Sequence, residues 1–335
     1  MNPIFQPYTF NNGATVLNRL AVAPMTHFAS DENGHITDQE RTFLQKRFRG
    51  FGLFISAATL VQADGKTFAG QPYAMTADDL PSLREVARIA QAQGAKAILQ
   101  IHHGGKLAPK ELCGDIVAPS ADEATGAREL TAAEIEQLVA AYANAATLAV
   151  QAGFDGVEIH GANAYLLQQF VSAQTNRRTD EWGGSLQNRL RFPLTVVDAV
   201  AAAVKAHAKP DFILGYRFSP EESGETGITM ADTFVLIDEL VRKPLQYLHV
   251  SLWDFYKKAR RDGNDEYRMK LIHQRINGRL PFIGVGKLYT ADDIAQAWET
   301  GWAEFIALGK TVMLNPDLIE LIANGREAEI HTHFD

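Results

Sequence analysis

At 335 residues and a formal charge of -8, the chain is long enough to bury a sizeable core and has no basic surplus for binding nucleic acid. It has no apolar run of bilayer-spanning length, and its start, Met1 to Pro7, lacks the basic-then-apolar pattern of a secretory signal, so a cytoplasmic protein with no membrane partner is expected. The single cysteine, Cys113, excludes an intrachain disulfide and any multi-cysteine metal centre, so no metal is expected. With no basic neighbour it reads as an inert thiol.

Leu20 to Ala23 is a short apolar run stopped by Pro24. Thr37-Asp38-Gln39-Glu40 then has capping-box spacing, which predicts a helix toward Arg49. Gly52 to Thr59 reads as a second buried strand, with Leu83, Val86, Ala87, Ile89 and Ala90 at helical spacing behind it. A third strand over Lys96 to Ile101 leads into a long loop near 104–130, and a capping box at Thr131 to Glu134 opens the next helix. Val157 to His160 is the fourth strand, followed by a helix over Ser185 to His207 with Val196, Val197, Val200 and Val204 as its buried row. Strands over Phe212 to Arg217, Tyr247 to Val250, Phe282 to Val285 and Phe305 to Leu308 alternate with helices over Met230 to Leu240, over Glu266 to Ile276 and from Thr290. A last helix is expected to open at Asn315-Pro316, with proline at its first position.

Eight short apolar runs alternating with helices, without a composition break, predict a single α/β domain over residues 1–335: a (β/α)8 TIM barrel. The competing fold is an open doubly wound sheet, which usually carries a glycine-rich turn after its first strand. Here that turn is Pro24-Met25-Thr26.

In such a barrel the chemistry collects at the C-terminal ends of the strands. Those ends hold Thr26, Ala58, Gln100 with His103, His160 with Asn163, Arg217, Ser251, Gly286 with Lys287, and Gly309 with Lys310. The glycine-lysine pairs on strands seven and eight stand where barrels bind phosphate through backbone N–H groups, so a phosphate-bearing ligand is expected. Gln100 offers a donor and an acceptor in one plane, suited to the edge of a pyrimidine-like ring. Arg217 is a permanent cation that needs a partner, either an internal carboxylate, Glu158 or Glu221, or a ring whose reduced form is anionic. The stretch His160-Gly161-Ala162-Asn163-Ala164-Tyr165 puts an imidazole, a carboxamide and a phenol at one strand end. It suits gripping a polar atom and delivering a proton, or else a core histidine, a helix cap and a packing ring.

The run Gly153 to Leu167, continuing through Asn176-Arg177-Arg178-Thr179-Asp180-Glu181-Trp182-Gly183-Gly184-Ser185 to Asn188-Arg189 and Arg191-Phe192, resembles the Old Yellow Enzyme family of FMN-dependent ene-reductases. The resemblance extends from Asn18 to about Asp317. It implies non-covalent FMN, with Thr26, Ala58, Gln100 and Arg217 around the isoalloxazine and Gly286, Gly309 and Lys310 at the phosphate. It also implies that NAD(P)H supplies a hydride through flavin N5 to the β-carbon of an enone substrate. His160 and Asn163 would bind the carbonyl oxygen, and Tyr165 would protonate the α-carbon.

Two positions depart from the family pattern: Lys310 stands where arginine is usual, and Phe28 where one branch has tyrosine. With the end at Asp335 and a lone cysteine, no iron-sulfur extension is expected. A phosphosugar aldolase or isomerase barrel would share the phosphate loops. Its Schiff-base form needs a lysine at a strand end, where the sixth strand has Val250-Ser251-Leu252. A non-catalytic flavin-binding protein would keep the loops without needing His160, Asn163 and Tyr165 together. Arg260 and Arg261 are candidates for a dinucleotide 2′-phosphate or simply a solvated loop. The preference between NADH and NADPH stays open, as does a homo-oligomer formed through aromatic residues on the outer helices.

Overall fold

The computed structural model describes residues 3–261 and 265–333, so residues 1–2, 334–335 and the stretch 262–264 of the loop read at 252–266 lie outside the described residues. Eight parallel strands form the barrel: Leu20–Val22, Leu53–Ile55, Lys96–His102, Gly156–Gly161, Ile213–Phe218, Tyr247–Val250, Phe282–Val285 and Phe305–Leu308. Each pairs with its successor in the chain, and the eighth returns to the first, with Leu308 opposite Val22. Every strand falls on one of the predicted apolar runs. A strand with helices outside it and packed side chains inside has no wet face toward which its sequence would alternate.

Three predicted boundaries shift, each for a local reason. The run Gly52 to Thr59 is interrupted after Ile55, where the Ser56 and Thr59 hydroxyls both donate to the Ala57 carbonyl and displace the sheet ladder; pairing resumes at Thr59–Leu60. The first helix, Asp38–Leu44, stops short of Arg49 because the Gln93 side chain donates to the Leu44 carbonyl and accepts the Phe48 N–H. Pro316 opens no helix. It forces the preceding Asn315 into extended backbone (φ -129°, ψ 91°) and so separates Lys310–Leu314, a short helix missed in the sequence, from Leu318–Ala323.

The N-terminal end of the barrel is sealed by an antiparallel hairpin, Tyr8–Thr9 with Thr15–Val16. Phe10 at its tip stacks on Phe305, the ring centroids 5.5 Å apart, over a dry floor that includes Ile55, Ile98, Ile213 and Ile283. Within the barrel interior, buried polar side chains therefore stack toward the other end. The strand registers stack them in layers: Gln100 lies opposite Glu158, Glu158 opposite Gly215 and Gly215 opposite Tyr247, while His160, Arg217 and His249 form the layer above. Gly215 is required there, since a Cβ would sit 2.1 Å from the Tyr247 ring that crosses the barrel toward Glu158. No helix among the described residues is long and apolar enough to cross a membrane. Among the described residues, the large exposed apolar side chains, Leu17, Phe28, Leu107, Trp253 and Tyr256, all lie off the outer α-helices.

Candidate active site

The lower layer is a buried charge with its partners. The Glu158 carboxylate accepts from Gln100 Nε2 at 2.7 Å, Tyr247 OH at 3.0 Å and His249 Nδ1 at 2.8 Å. Burial opposes its ionisation, but His249, Arg217 and Gln100 outweigh that and hold its pKa below the ordinary carboxylate value. Gln100 has thus committed one amide hydrogen inside the protein and keeps the other, with Oε1, for a ligand. Of the two carboxylates considered for Arg217, Glu221 is taken: its Oε2 is 2.6 Å from Arg268 Nε. Arg217 is buried, its Nε has no hydrogen-bond partner, and Glu158 acts on it only through the field, against the depressing effect of burial.

His160 is the next-to-last residue of the fourth strand, in the layer above. The Ala162 N–H donates to its Nδ1 at 3.3 Å, which places the ring proton on Nε2 and makes that nitrogen a donor. Burial first, then His102, Arg217 and His249, push its pKa well below 6.5, so the ring is neutral. The chain then turns through two successive left-handed residues, Asn163 and Ala164, both at φ 59°, a conformation uncommon outside glycine. The turn is held by the Asn163 N–H on Ser219 Oγ and the Ala164 N–H on Gln168 Oε1, each 2.9 Å. Asn163 Oδ1 accepts from Ser251 Oγ at 2.6 Å, leaving the carboxamide NH2 to donate. Tyr165, not Asn163, occupies the N-cap position of the helix Leu166–Val171. Its phenol is half-buried, and burial raises its pKa although Arg217 pulls the other way, so at neutral pH it carries its proton.

A histidine the sequence reading passed over also belongs here. The rings of His102, His160 and Tyr165 pack together, with His102 4.4 Å from Tyr165 and 5.3 Å from His160 between centroids. Thr67 Oγ1 donates to the Gly65 carbonyl and so accepts from His102 Nε2 at 2.9 Å; His102 Nδ1 is a buried acceptor without a partner. Burial, with a smaller contribution from His103, lowers the His102 pKa to about 3. His103, the candidate at this strand end in the sequence, is turned away to Asp64 at 2.9 Å. Side chains alternate along a strand, so Gln100 and His102 share a face, and that parity was the available signal.

At the opposite rim, Gly286 adopts φ 132°, and a Cβ there would lie 2.7 Å from the Phe255 N. Gly309 caps the helix Lys310–Leu314 without a side-chain bond, and the nearest atom to an added Cβ is Met25 Sδ at 3.7 Å, so its backbone stays approachable. Lys310 Nζ lies 5.2 Å over the Tyr289 ring. Thr26 is exposed in the loop after the first strand, while Ala58 is buried in the break after the second, its carbonyl accepting from Gln71. No cluster of three or more metal-ligating side chains occurs among the described residues.

The model of the NADH:flavin oxidoreductase / NADH oxidase family matches residues 3–329. The chain belongs to this family. It is 46% identical to the probable NADH-dependent flavin oxidoreductase YqiG of Bacillus subtilis (strain 168), over 98% of this chain and 90% of that one. It is 32% identical to the probable flavin mononucleotide-dependent alkene reductase of Leishmania infantum, over 92% and 87%. Two further curated relatives are much longer, and the chain spans only 36% and 32% of their length. The solved Old Yellow Enzyme homologue from Zymomonas mobilis superposes with a TM-score of 0.85 at 25% identity, covering 99% of this chain and 94% of the other.

The protein is thus an NAD(P)H-dependent flavin oxidoreductase of the Old Yellow Enzyme type with FMN as cofactor, which sets aside the aldolase reading. The residues present fit FMN on two observations: the buried, unpartnered Nε of Arg217 at one rim and the approachable, uncapped backbone at Gly309 at the other.

Proposed function

We propose that this Old Yellow Enzyme family member reduces the C=C bond of α,β-unsaturated carbonyl compounds, with His160 and Asn163 holding the carbonyl oxygen and Tyr165 giving the proton to the α-carbon. When bound, FMN supplies the hydride, taken from NAD(P)H and delivered to the β-carbon. Thr26, Ala58, Gln100 and Arg217 are the residues we assign to its ring, and Gly286, Gly309 and Lys310 those we assign to its phosphate.

One observation carries the reading: three donors on one turn are each fixed from behind. His160 offers Nε2–H because Nδ1 is occupied, Asn163 offers NH2 because Oδ1 is occupied, and Tyr165 keeps its proton because burial disfavours the phenolate. A neutral imidazole and a carboxamide bind an oxygen more tightly as it gains negative charge. If they act as oxyanion-hole donors, each contributes about 2.7–4 kcal/mol. Tyr165 then acts as a general acid beside them. The reading assigns the enzyme to the cytoplasm, the compartment that supplies reduced nicotinamide cofactor.

A phenol titration tests the pair. Phenol bound over oxidised flavin gives a long-wavelength absorbance band, and the wild-type protein is expected to show it. The double substitution His160→Ala, Asn163→Ala should abolish the band while FMN is retained. A band that persists removes these two residues from the oxygen-binding role.

A further inference from the structure

We propose that the cavity beyond Asn163, between the ends of the fifth, sixth and seventh strands, is an anion subsite of the same active site. It takes a carboxylate or phosphate group carried by one of the reactants. The inference rests on the reading of His160 and Asn163 as the oxygen-binding pair, since the cavity adjoins them.

The cavity encloses about 380 Å³, and its walls include Ser251, Trp253, Lys257, Arg260, Arg268 and Lys287. Ser251 is the residue that holds Asn163 Oδ1, and Ser219, on the same wall, accepts the Asn163 N–H. The cavity therefore adjoins Asn163, within reach of a molecule whose carbonyl oxygen lies on that residue.

The charge lining the cavity is positive in a protein whose overall charge is negative. Among the described residues lining it, Lys257, Arg260, Arg268 and Lys287 face two carboxylates, Glu221 and Asp254. Both carboxylates are engaged: Glu221 with Arg268 and with the Arg260 N–H at 3.1 Å, Asp254 with the Tyr256 N–H and with Lys287 Nζ at 3.4 Å. Arg261 does not line the cavity, and its Nη1 donates to the carbonyls of Glu225 and Gly227. Of the arginine pair flagged in the sequence, Arg260 alone lines the cavity.

Arg268 points most directly to a ligand. It is 4% exposed, and its Nη2 is buried without any hydrogen-bond partner. Nε is paired by charge with Glu221 Oε2 at 2.6 Å, so Nη2 is the nitrogen left without a partner. A buried guanidinium left with unmade bonds is costly, and an oxyanion in the cavity is the chemistry that would satisfy it, with Lys257 and Arg260 adding charge from the rim. Two reactants carry such a group: an acceptor with a carboxylate, and NADPH with its 2′-phosphate.

The test uses the FMN-loaded enzyme with 2-cyclohexenone bearing a carboxymethyl arm, the methyl ester of that compound, NADH and NADPH. In Lys257→Gln, Arg260→Gln the KM of the acid should rise at least ten-fold relative to that of the ester if the acceptor supplies the anion. If the dinucleotide supplies it, the NADPH to NADH ratio of flavin reduction should move instead. Arg268→Lys keeps a charge opposite Glu221 and loses the second N–H, and should move the same ratio less. Calorimetry of acid and ester on the wild-type holoenzyme gives the comparison without turnover. Both ratios within two-fold of wild type, in folded variants, overturn the subsite. Failure of the parent reading shows itself separately, as no turnover of the neutral ester by the wild type.

Discussion

The corner at the end of the fourth strand and the rim at the ends of the fifth to seventh differ in how their polar groups are balanced. At the corner, the imidazole of His160 and the carboxamide of Asn163 are each tied down by a protein partner, which leaves one defined donor end. At the rim, cations outnumber carboxylates, and a buried guanidinium nitrogen has no partner at all. The corner is organised before any ligand arrives and selects by geometry. The rim is incomplete without a ligand and selects by charge. The two should therefore respond to different perturbations, and substitutions at one should leave the signature of the other.

Tyr165→Phe is expected to have the largest effect. The ring and its packing against His102 and His160 are kept while the proton is removed. Flavin reduction by NAD(P)H should survive, and reoxidation by an enone should slow by about 10²–10⁴-fold, the usual contribution of a general acid. Stopped-flow absorbance separates the two half-reactions. An unchanged reoxidation rate would take Tyr165 out of its assigned role and leave the corner as a binding site only.

Acid distinguishes the two regions next, because the corner depends on neutral imidazoles and the rim on permanent cations. The unfolded chain protonates a histidine near 6.5, whereas folded His102 does so only near 3. Between those values the unfolded state binds more protons, so the contribution of His102 to stability is present above 6.5 and is lost as the pH falls. From pH 7 to pH 5 this loss is about 2 kcal/mol for His102 alone. His160 and His249, both also depressed, act in the same direction. Denaturant midpoints at the two pH values should show the fall in the wild type and a smaller one in His102→Phe. An equal fall in both proteins would mean that His102 is not held neutral by its burial.

The same contrast explains what the sequence made legible. The barrel strands were readable because a strand buried on both faces is a nearly unbroken apolar run, and the helices after Thr131 and Thr290 because capping boxes mark their starts. The corner was readable because its three chemical groups lie within six residues of one another. Its geometry was not, since the left-handed pair Asn163 and Ala164 is stabilised by Ser219 and Gln168, one of them from another strand end. Pro316 misled because a proline that opens one helix and a proline that separates two look alike in sequence. The rim was the least legible region. Its character depends on which of several arginines is already satisfied, and Arg260, Arg261 and Arg268 are told apart only by partners far away in the chain.

Ser251 joins the two regions, and its removal is the smallest effect expected. Its hydroxyl donates to Asn163 Oδ1 at 2.6 Å and also lines the rim cavity. In Ser251→Ala the carboxamide loses the bond that decides which of its ends faces away, so some molecules present Oδ1 where NH2 should be. A hydrogen bond of this kind is worth about 1 kcal/mol, so kcat/KM for a neutral enone should fall roughly five-fold. The phenol band should weaken with it, because the defect lies in oxygen binding, while flavin reduction by NADH, which does not use the carboxamide donor for an enone oxygen, should be unaffected. If kcat/KM falls while phenol binds as before, Ser251 acts through the cavity and not through Asn163, and the corner is less dependent on its neighbour than the hydrogen bond implies.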